Sequence, residues 1–318
     1  MEETLSFSLL GMTGYWYGMF IAYGAALFLL FFARYSRIEK LKSGTAALFS
    51  ALCIPLGLIC SRVLFCLLDF RFHGMFSLRA MGMFWGGGFS MAGALLGAAL
   101  AAWLTARIQK IPALPVLDIL MAALPFFICA ARMGEGFTEL LGRSRPLDTQ
   151  WLANSFLAQN DGYDAYLRTY LLEAVTAGIL AIFFAARIQK KKTAQGSLLL
   201  GMLLLGTTQA LFESLRFDSH MRYSFISMQQ ILFACMFAAP LIVYAARCGK
   251  KQVITAILVC VLVTGGAVGL EFMIDRSSVS ALLLYAAYIL LLALPAGLGI
   301  HYKKGAKRLD KRASGAHQ

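Results

Sequence analysis

Residues 15–33 read YWYGMFIAYGAALFLLFFA, without one charged side chain. A helix rises 1.5 Å per residue, so about 20 apolar residues cover the hydrocarbon layer of a bilayer. This stretch is long enough to cross by itself. Three further uncharged runs, Thr193–Phe212, Tyr223–Ala246 and Gln252–Leu270, reach similar length. Of the 318 residues, 59% are hydrophobic and 14% charged, against about 25% charged in soluble domains. The pattern predicts an all-α, polytopic transmembrane helical bundle of about nine spans. They fall near residues 15–33, 44–68, 81–106, 111–131, 169–186, 195–213, 224–246, 252–271 and 278–301.

The charges orient these spans. The net charge is +13, but the basic residues are spread over short loops rather than gathered into a nucleic-acid patch. Lys and Arg collect on the cytoplasmic side of membrane proteins. With the N-terminus outside, loops 34–42, 107–110, 187–192 and 247–251 and the tail 303–312 place nineteen basic residues inside, against nine outside. N-out/C-in is the expectation, and an odd number of spans requires opposite ends. The longest loop, about Arg132 to Arg168, then lies outside. It is mixed in charge, contains Trp151, and reads as a small extracytoplasmic head. The seven cysteines show no CxxC and no His partner at metal spacing, so no metal site is expected. No cleavable signal peptide is evident.

Ionisable groups inside spans are costly and face protein or a wet cavity. Here they are Arg62, Asp118, Glu173 and Glu213, joined by Gln209 and Gln230. Glu213 and Arg216 are three apart, as are Arg132 and Glu135, so each pair shares a helical face if its helix continues. All but Asp118 lie near the outer ends of their spans. The arrangement predicts a polar cavity opening to the outer leaflet, whose guanidinium forks suit a phosphate. The alternative is that Arg62, Asp118, Glu173 and Glu213 pair with one another between helices. Gly86-Gly87-Gly88 enters the third span, and Gly93 and Gly97 follow at a spacing suited to close helix packing.

From Tyr15 to Phe233 these residues also form a series of motifs. Tyr15-Trp16-Tyr17-Gly18, Ser61-Arg62 and the run Trp85 to Gly93 come first. Asp118, Pro125, Arg132 and Gly134 follow, then Glu139-Leu140-Leu141-Gly142-Arg143 and Leu172-Glu173. Glu213-Ser214-Leu215-Arg216 and Ile226 to Leu232 complete the series. In order and spacing they resemble the bacterial prolipoprotein diacylglyceryl transferase family. Its corresponding motifs read HWYG, GR, WxGGMSFHGG, GRxGN, ELWGR, YE, ExxR and ISMGQIL.

The resemblance implies a seven-helix domain over residues 1–246, leaving an additional hairpin over 247–302 and a basic cytoplasmic tail over 303–318. It implies a multi-pass protein of the bacterial inner (plasma) membrane. The implied activity moves diacylglyceryl from phosphatidylglycerol to the lipobox cysteine thiol of a prelipoprotein, with no cofactor. The implied partners are phosphatidylglycerol, the prelipoprotein lipobox segment and membrane lipid, without nucleic acid. Arg132, Glu139 and Tyr17 take catalytic roles. Arg132, Arg62, Gly87, Gly88, Gly142, Glu213 and Arg216 form the substrate-binding set. Departures mark a diverged member: Ala92 stands at the family histidine, Gln209 at an arginine and Glu135 at the asparagine of GRxGN. They support an alternative, a relative that binds anionic lipid or lipoprotein without turnover. A transporter reading rests only on the number of spans and buried charge, with no paired interrupted helices beside it.

Overall fold

The computed structural model describes residues 6–9, 12–73, 81–84, 88–138, 143–147, 149–160, 162–216, 222–223, 226–276 and 279–315. Among them, nine helices are long and apolar enough to cross a membrane. They are α1 (Trp16–Ile38), α2 (Thr45–His73), α3 (Met91–Gln109), α4 (Ala113–Gly134) and α5 (Thr169–Lys191). The series continues with α6 (Ser197–Leu215), α7 (Met228–Ala246), α8 (Lys250–Arg276) and α9 (Ala281–Gly315). The polytopic helical class expected from hydropathy is the class observed. The third helix, however, starts ten residues later than the apolar run, because Ser90 caps it: its Oγ accepts the Gly93 N–H at 3.3 Å. The helix at the C-terminal end also continues through the basic segment as far as Gly315.

Short strands add to the helices. β1 (Ser6–Leu9) and β2 (Met12–Tyr15) form an antiparallel hairpin ahead of α1. Between α4 and α5, β3 (Arg143–Pro146), β4 (Ala158–Asn160) and β5 (Ala165–Arg168) form an antiparallel sheet in the order β3-β5-β4. This sheet, with a helical turn at Gln150–Ala153 that carries the exposed Trp151, gives the long loop a folded core. β6 (Arg222–Tyr223) pairs with β7 (Ile226–Ser227) before α7.

The chain divides into two compact units. The first holds residues 1–198 and 215–220. Its tightest contact joins α2 to α3 through glycine. A Cβ on Gly93 would lie 2.5 Å from the Cys60 carbonyl oxygen, and one on Gly97 would strike the Leu56 carbonyl. Backbones approach this closely only where the side chain is absent. α1 packs antiparallel to α4: Gly24 meets Phe127 and Ala130, Phe31 stacks on Phe126 at 3.6 Å, and Phe20 faces Gly134. Asp118 is 2% exposed, and its carboxylate accepts the backbone N–H groups of Gly196 (3.2 Å) and Leu198 (2.7 Å). It thereby satisfies donors at the start of α6 that the helix leaves unpaired. Three helix ends on one side of this unit close on a left-handed lysine: Lys40, Lys110 and Lys192, with φ of 53°, 55° and 56°. Leu41 N–H then returns to the Ser36 carbonyl and Ile111 N–H to that of Ala106, as in a Schellman closure.

The second unit holds residues 199–214 and 221–318. Its last two helices are the additional hairpin expected over residues 247–302, whose apolar run carries no charge from Gln252 to Leu270. Helix α8 instead extends past the apolar run and carries Glu271, which is 2% exposed. Gln230 of α7 donates to Glu271 at 2.7 Å and approaches the Tyr288 hydroxyl of α9 at 3.3 Å. The hairpin is thus anchored by a polar network, while Ile254, Leu258, Val261 and Leu262 stay exposed for lipid.

Replacing Gly97 by leucine is expected to destabilise the α2–α3 pair by about 1–3 kcal/mol. The measurement is thermal unfolding in detergent, with Gly57→Ala as a control, because a Cβ at Gly57 meets nothing within 4 Å.

Candidate functional site

The last turn of α4 and the first turns of α5 bring opposite charges together inside the first unit. Arg132 Nε donates to Glu173 Oε1 at 2.7 Å, and its Nη1 donates to Glu135 Oε1. Arg216, one residue beyond α6, donates from Nη2 to Glu135 Oε2 at 2.7 Å and to Glu173 Oε2 at 2.9 Å. Each carboxylate bridges both guanidiniums, so the four side chains close a ring. The side chains of Glu173, Glu135 and Arg216 are 1%, 5% and 6% exposed, while Arg132 keeps 14%. Two positive and two negative groups make the ring neutral. That balance is what a poorly hydrated site requires, since a lone charge there would cost several kcal/mol.

Arg132 also reaches α3: its Nη2 lies 3.0 Å from the Met91 sulfur. Three residues earlier, the Gly88 carbonyl accepts Arg62 Nη1 at 3.0 Å, and the Arg62 guanidinium lies 5.9 Å from the Phe65 ring centre. Gly88 has φ 77°, and a Cβ there would collide with Phe65. Only glycine both turns the chain and leaves room for that ring. Ser61 Oγ donates to the Ser90 carbonyl at 2.7 Å, and Ser90 N–H returns to the Ser61 carbonyl. The α3 entry segment is therefore stapled to α2 on one side and to Arg132 on the other. Tyr17 stands at the same end, its ring 3.4 Å from where a Gly134 Cβ would lie.

The expected residues separate accordingly. Arg132 and Arg216 share one site, Arg62 and Gly88 form its neighbour, and Tyr17 flanks the end of α4. Glu139, Gly87 and Gly142 lie outside the described residues. Glu213 belongs to the second unit, where its Oε1 accepts the Ser227 hydroxyl at 2.7 Å. Arg216 does not continue a helical face with Glu213, because α6 ends at Leu215. Arg132 and Glu135 do pair across three residues. Glu173 contributes more than its motif announced, since it joins both arginines. Asp118 serves the start of α6 rather than a cavity.

The family profile described as prolipoprotein diacylglyceryl transferase matches residues 4–246, which include every member of this ring. The chain belongs to the prolipoprotein diacylglyceryl transferase family. Proteins named phosphatidylglycerol–prolipoprotein diacylglyceryl transferase are similar to it. That of Clostridioides difficile is 26% identical over 133 residues, which is 42% of this chain and 53% of that protein. The match thus spans about half of that relative's length. The Finegoldia magna protein is 21% identical over 79% of this chain and 98% of its own length. The Listeria monocytogenes serovar 1/2a protein is 25% identical over 72% of this chain and 84% of its own. Like the family, this chain is a multi-pass membrane protein. Residues beyond Ala246, including Glu271 and Tyr288, lie outside the matched family region.

Removing one ring member leaves its partners uncompensated, so Glu173→Ala is expected to cost about 3–5 kcal/mol. The neutral double change Glu173→Gln with Arg216→Gln is expected to cost less than the two single changes added. Unfolding of all four proteins measures that coupling.

Proposed function

We propose that this protein transfers the diacylglyceryl group of phosphatidylglycerol to the thiol of a lipobox cysteine, at the outer face of the bacterial plasma membrane with its N-terminus outside. The reading rests on membership of the family and on one geometric observation. Two arginines converge in a buried site, and Arg132 is the ring member that keeps most exposure. The transfer forms a carbon–sulfur bond and breaks the bond from the diacylglyceryl carbon to the phosphate oxygen. Glycerol phosphate leaves with that electron pair, and the thiol proton passes to a base. Arg132 meets the charge that grows on the leaving phosphate, where a preorganised donor in a dry site acts most strongly. Tyr17 donates a hydrogen bond to the headgroup. Arg62 and Gly88 shape the lipid's entry, while Arg216 holds Glu135 and Glu173 in place beside Arg132.

A second reading is binding of anionic lipid or lipoprotein without turnover. It is favoured by Ala92, a small apolar side chain only 6% exposed at the third helix's entry, and by the full pairing of Arg132 with two carboxylates. A substrate phosphate must exchange with one of those carboxylates before Arg132 can serve it.

The deciding assay mixes purified protein, phosphatidylglycerol and a lipobox peptide and detects the thioether product. Wild-type protein is expected to form it, and Arg132→Ala to reduce the rate by about 10²–10³-fold. Lipid binding by a folded wild-type protein that yields no product with any lipobox peptide establishes the second reading instead. Orientation is checked separately. Cysteines placed in the β3–β5 head are expected to react with an impermeant thiol reagent in whole spheroplasts, and cysteines near Lys110 only after lysis.

A further inference from the structure

At the end of the first unit away from the ring, the last turns of α1 and α5 border an open hollow of about 610 Å³. That size falls among small-ligand pockets, about 300–1,000 Å³. Arg34, Arg37 and Lys192 line it together with Gln189, and Leu30 and Ala33 form its apolar wall. The antiparallel register of α1 and α4 sets its distance from the ring: Phe20 faces Gly134, so Arg132 lies level with the first turns of α1. Arg34 and Arg37 then stand about 20 Å further along the axis at 1.5 Å per residue. The cavity is a separate site.

Its charge is one-sided. Among the described residues, Arg34, Arg37 and Lys192 form no ion pair. The nearby carboxylate of Glu39 is turned to the α5–α6 loop, where it accepts the Thr193 hydroxyl at 2.6 Å and the Ala194 N–H. Three cations and an amide therefore face one hollow at the polar end of two membrane helices. Below them, Leu30 is 66% exposed on a helix otherwise suited to hydrocarbon.

We propose that this cavity binds the phosphate headgroup of an anionic phospholipid in the leaflet opposite the Arg132 ring. The cations hold the phosphate oxygens, Gln189 donates to the ester or glycerol oxygens, and an acyl chain lies along Leu30 and Ala33. A free phosphate would satisfy the cations but leave that apolar wall uncovered, which favours a lipid. Basic hollows between membrane helices provide this chemistry.

Native mass spectrometry of the full chain, titrated with phosphatidic acid or phosphatidylcholine, tests the site. Wild-type protein is expected to retain phosphatidic acid in preference to phosphatidylcholine. R34Q/R37Q/K192Q is expected to weaken that binding about 100-fold, or roughly 3 kcal/mol at 1.4 kcal/mol per tenfold. Ala33→Trp fills the hollow without changing charge and is expected to weaken it as well, so the proposal stays testable if the triple variant misfolds. R107Q/K110Q, which removes charge from another loop, is expected to leave it within about threefold. Undiminished binding in the triple variant or in Ala33→Trp overturns the proposal. So does equal retention of phosphatidylcholine, equal loss in R107Q/K110Q, or displacement of the lipid by excess inorganic phosphate. None of these readouts depends on transferase turnover.

Discussion

Two arginines and two glutamates occupy one poorly hydrated site, and neither sign could stay there without the other. In a low-dielectric interior the cost of stripping water from a charge is recovered only when good geometry satisfies both partners. Here each carboxylate spans both guanidiniums, and the contributing segments are the end of α4, the start of α5 and the residue after α6. The ring therefore fixes three chain segments at one membrane surface. The price is chemical: Arg132, the most exposed member of the ring, is already engaged by two carboxylates.

The rest of the first unit supports that end by close packing. Gly93 and Gly97 let α3 lie directly on the α2 backbone. That contact carries Gly88 to Arg62 and Met91 to Arg132. A larger side chain at either packing glycine would shift the α3 entry and, with it, two arginines at once. At the other end, Asp118 ties α4 to the first turn of α6 and Glu39 ties α1 to the α5–α6 loop. Both polar ends of the unit are thus organised by carboxylates, one set paired with guanidinium and the other with backbone N–H.

Much of this could be read in the sequence because bilayer thickness leaves helices few options. Uncharged runs located the spans, and the spacing of Arg132 and Glu135 anticipated their pairing. What hydropathy could not supply was the start of α3, since Met81 to Phe84 extend the apolar run and only a hydroxyl cap at Ser90 marks the true beginning. Nor could spacing reveal that Asp118 serves backbone groups nearly eighty positions away, or that Glu271 is buried against Gln230. Those roles depend on which helices become neighbours. Glu173 gave a similar difficulty: its place in a motif was visible, but its bridge between two arginines required the fold.

The left-handed lysines at Lys40, Lys110 and Lys192 separate two demands that usually coincide. Glycine would end each helix with less backbone strain. Lysine instead leaves a cation beside the negative end of the helix dipole. Because α1, α3 and α5 alternate with oppositely directed helices, all three lysines fall on the same membrane surface. At these corners the chain gives up some conformational ease, and the residue that stops the helix also sets a cation against the helix's own dipole.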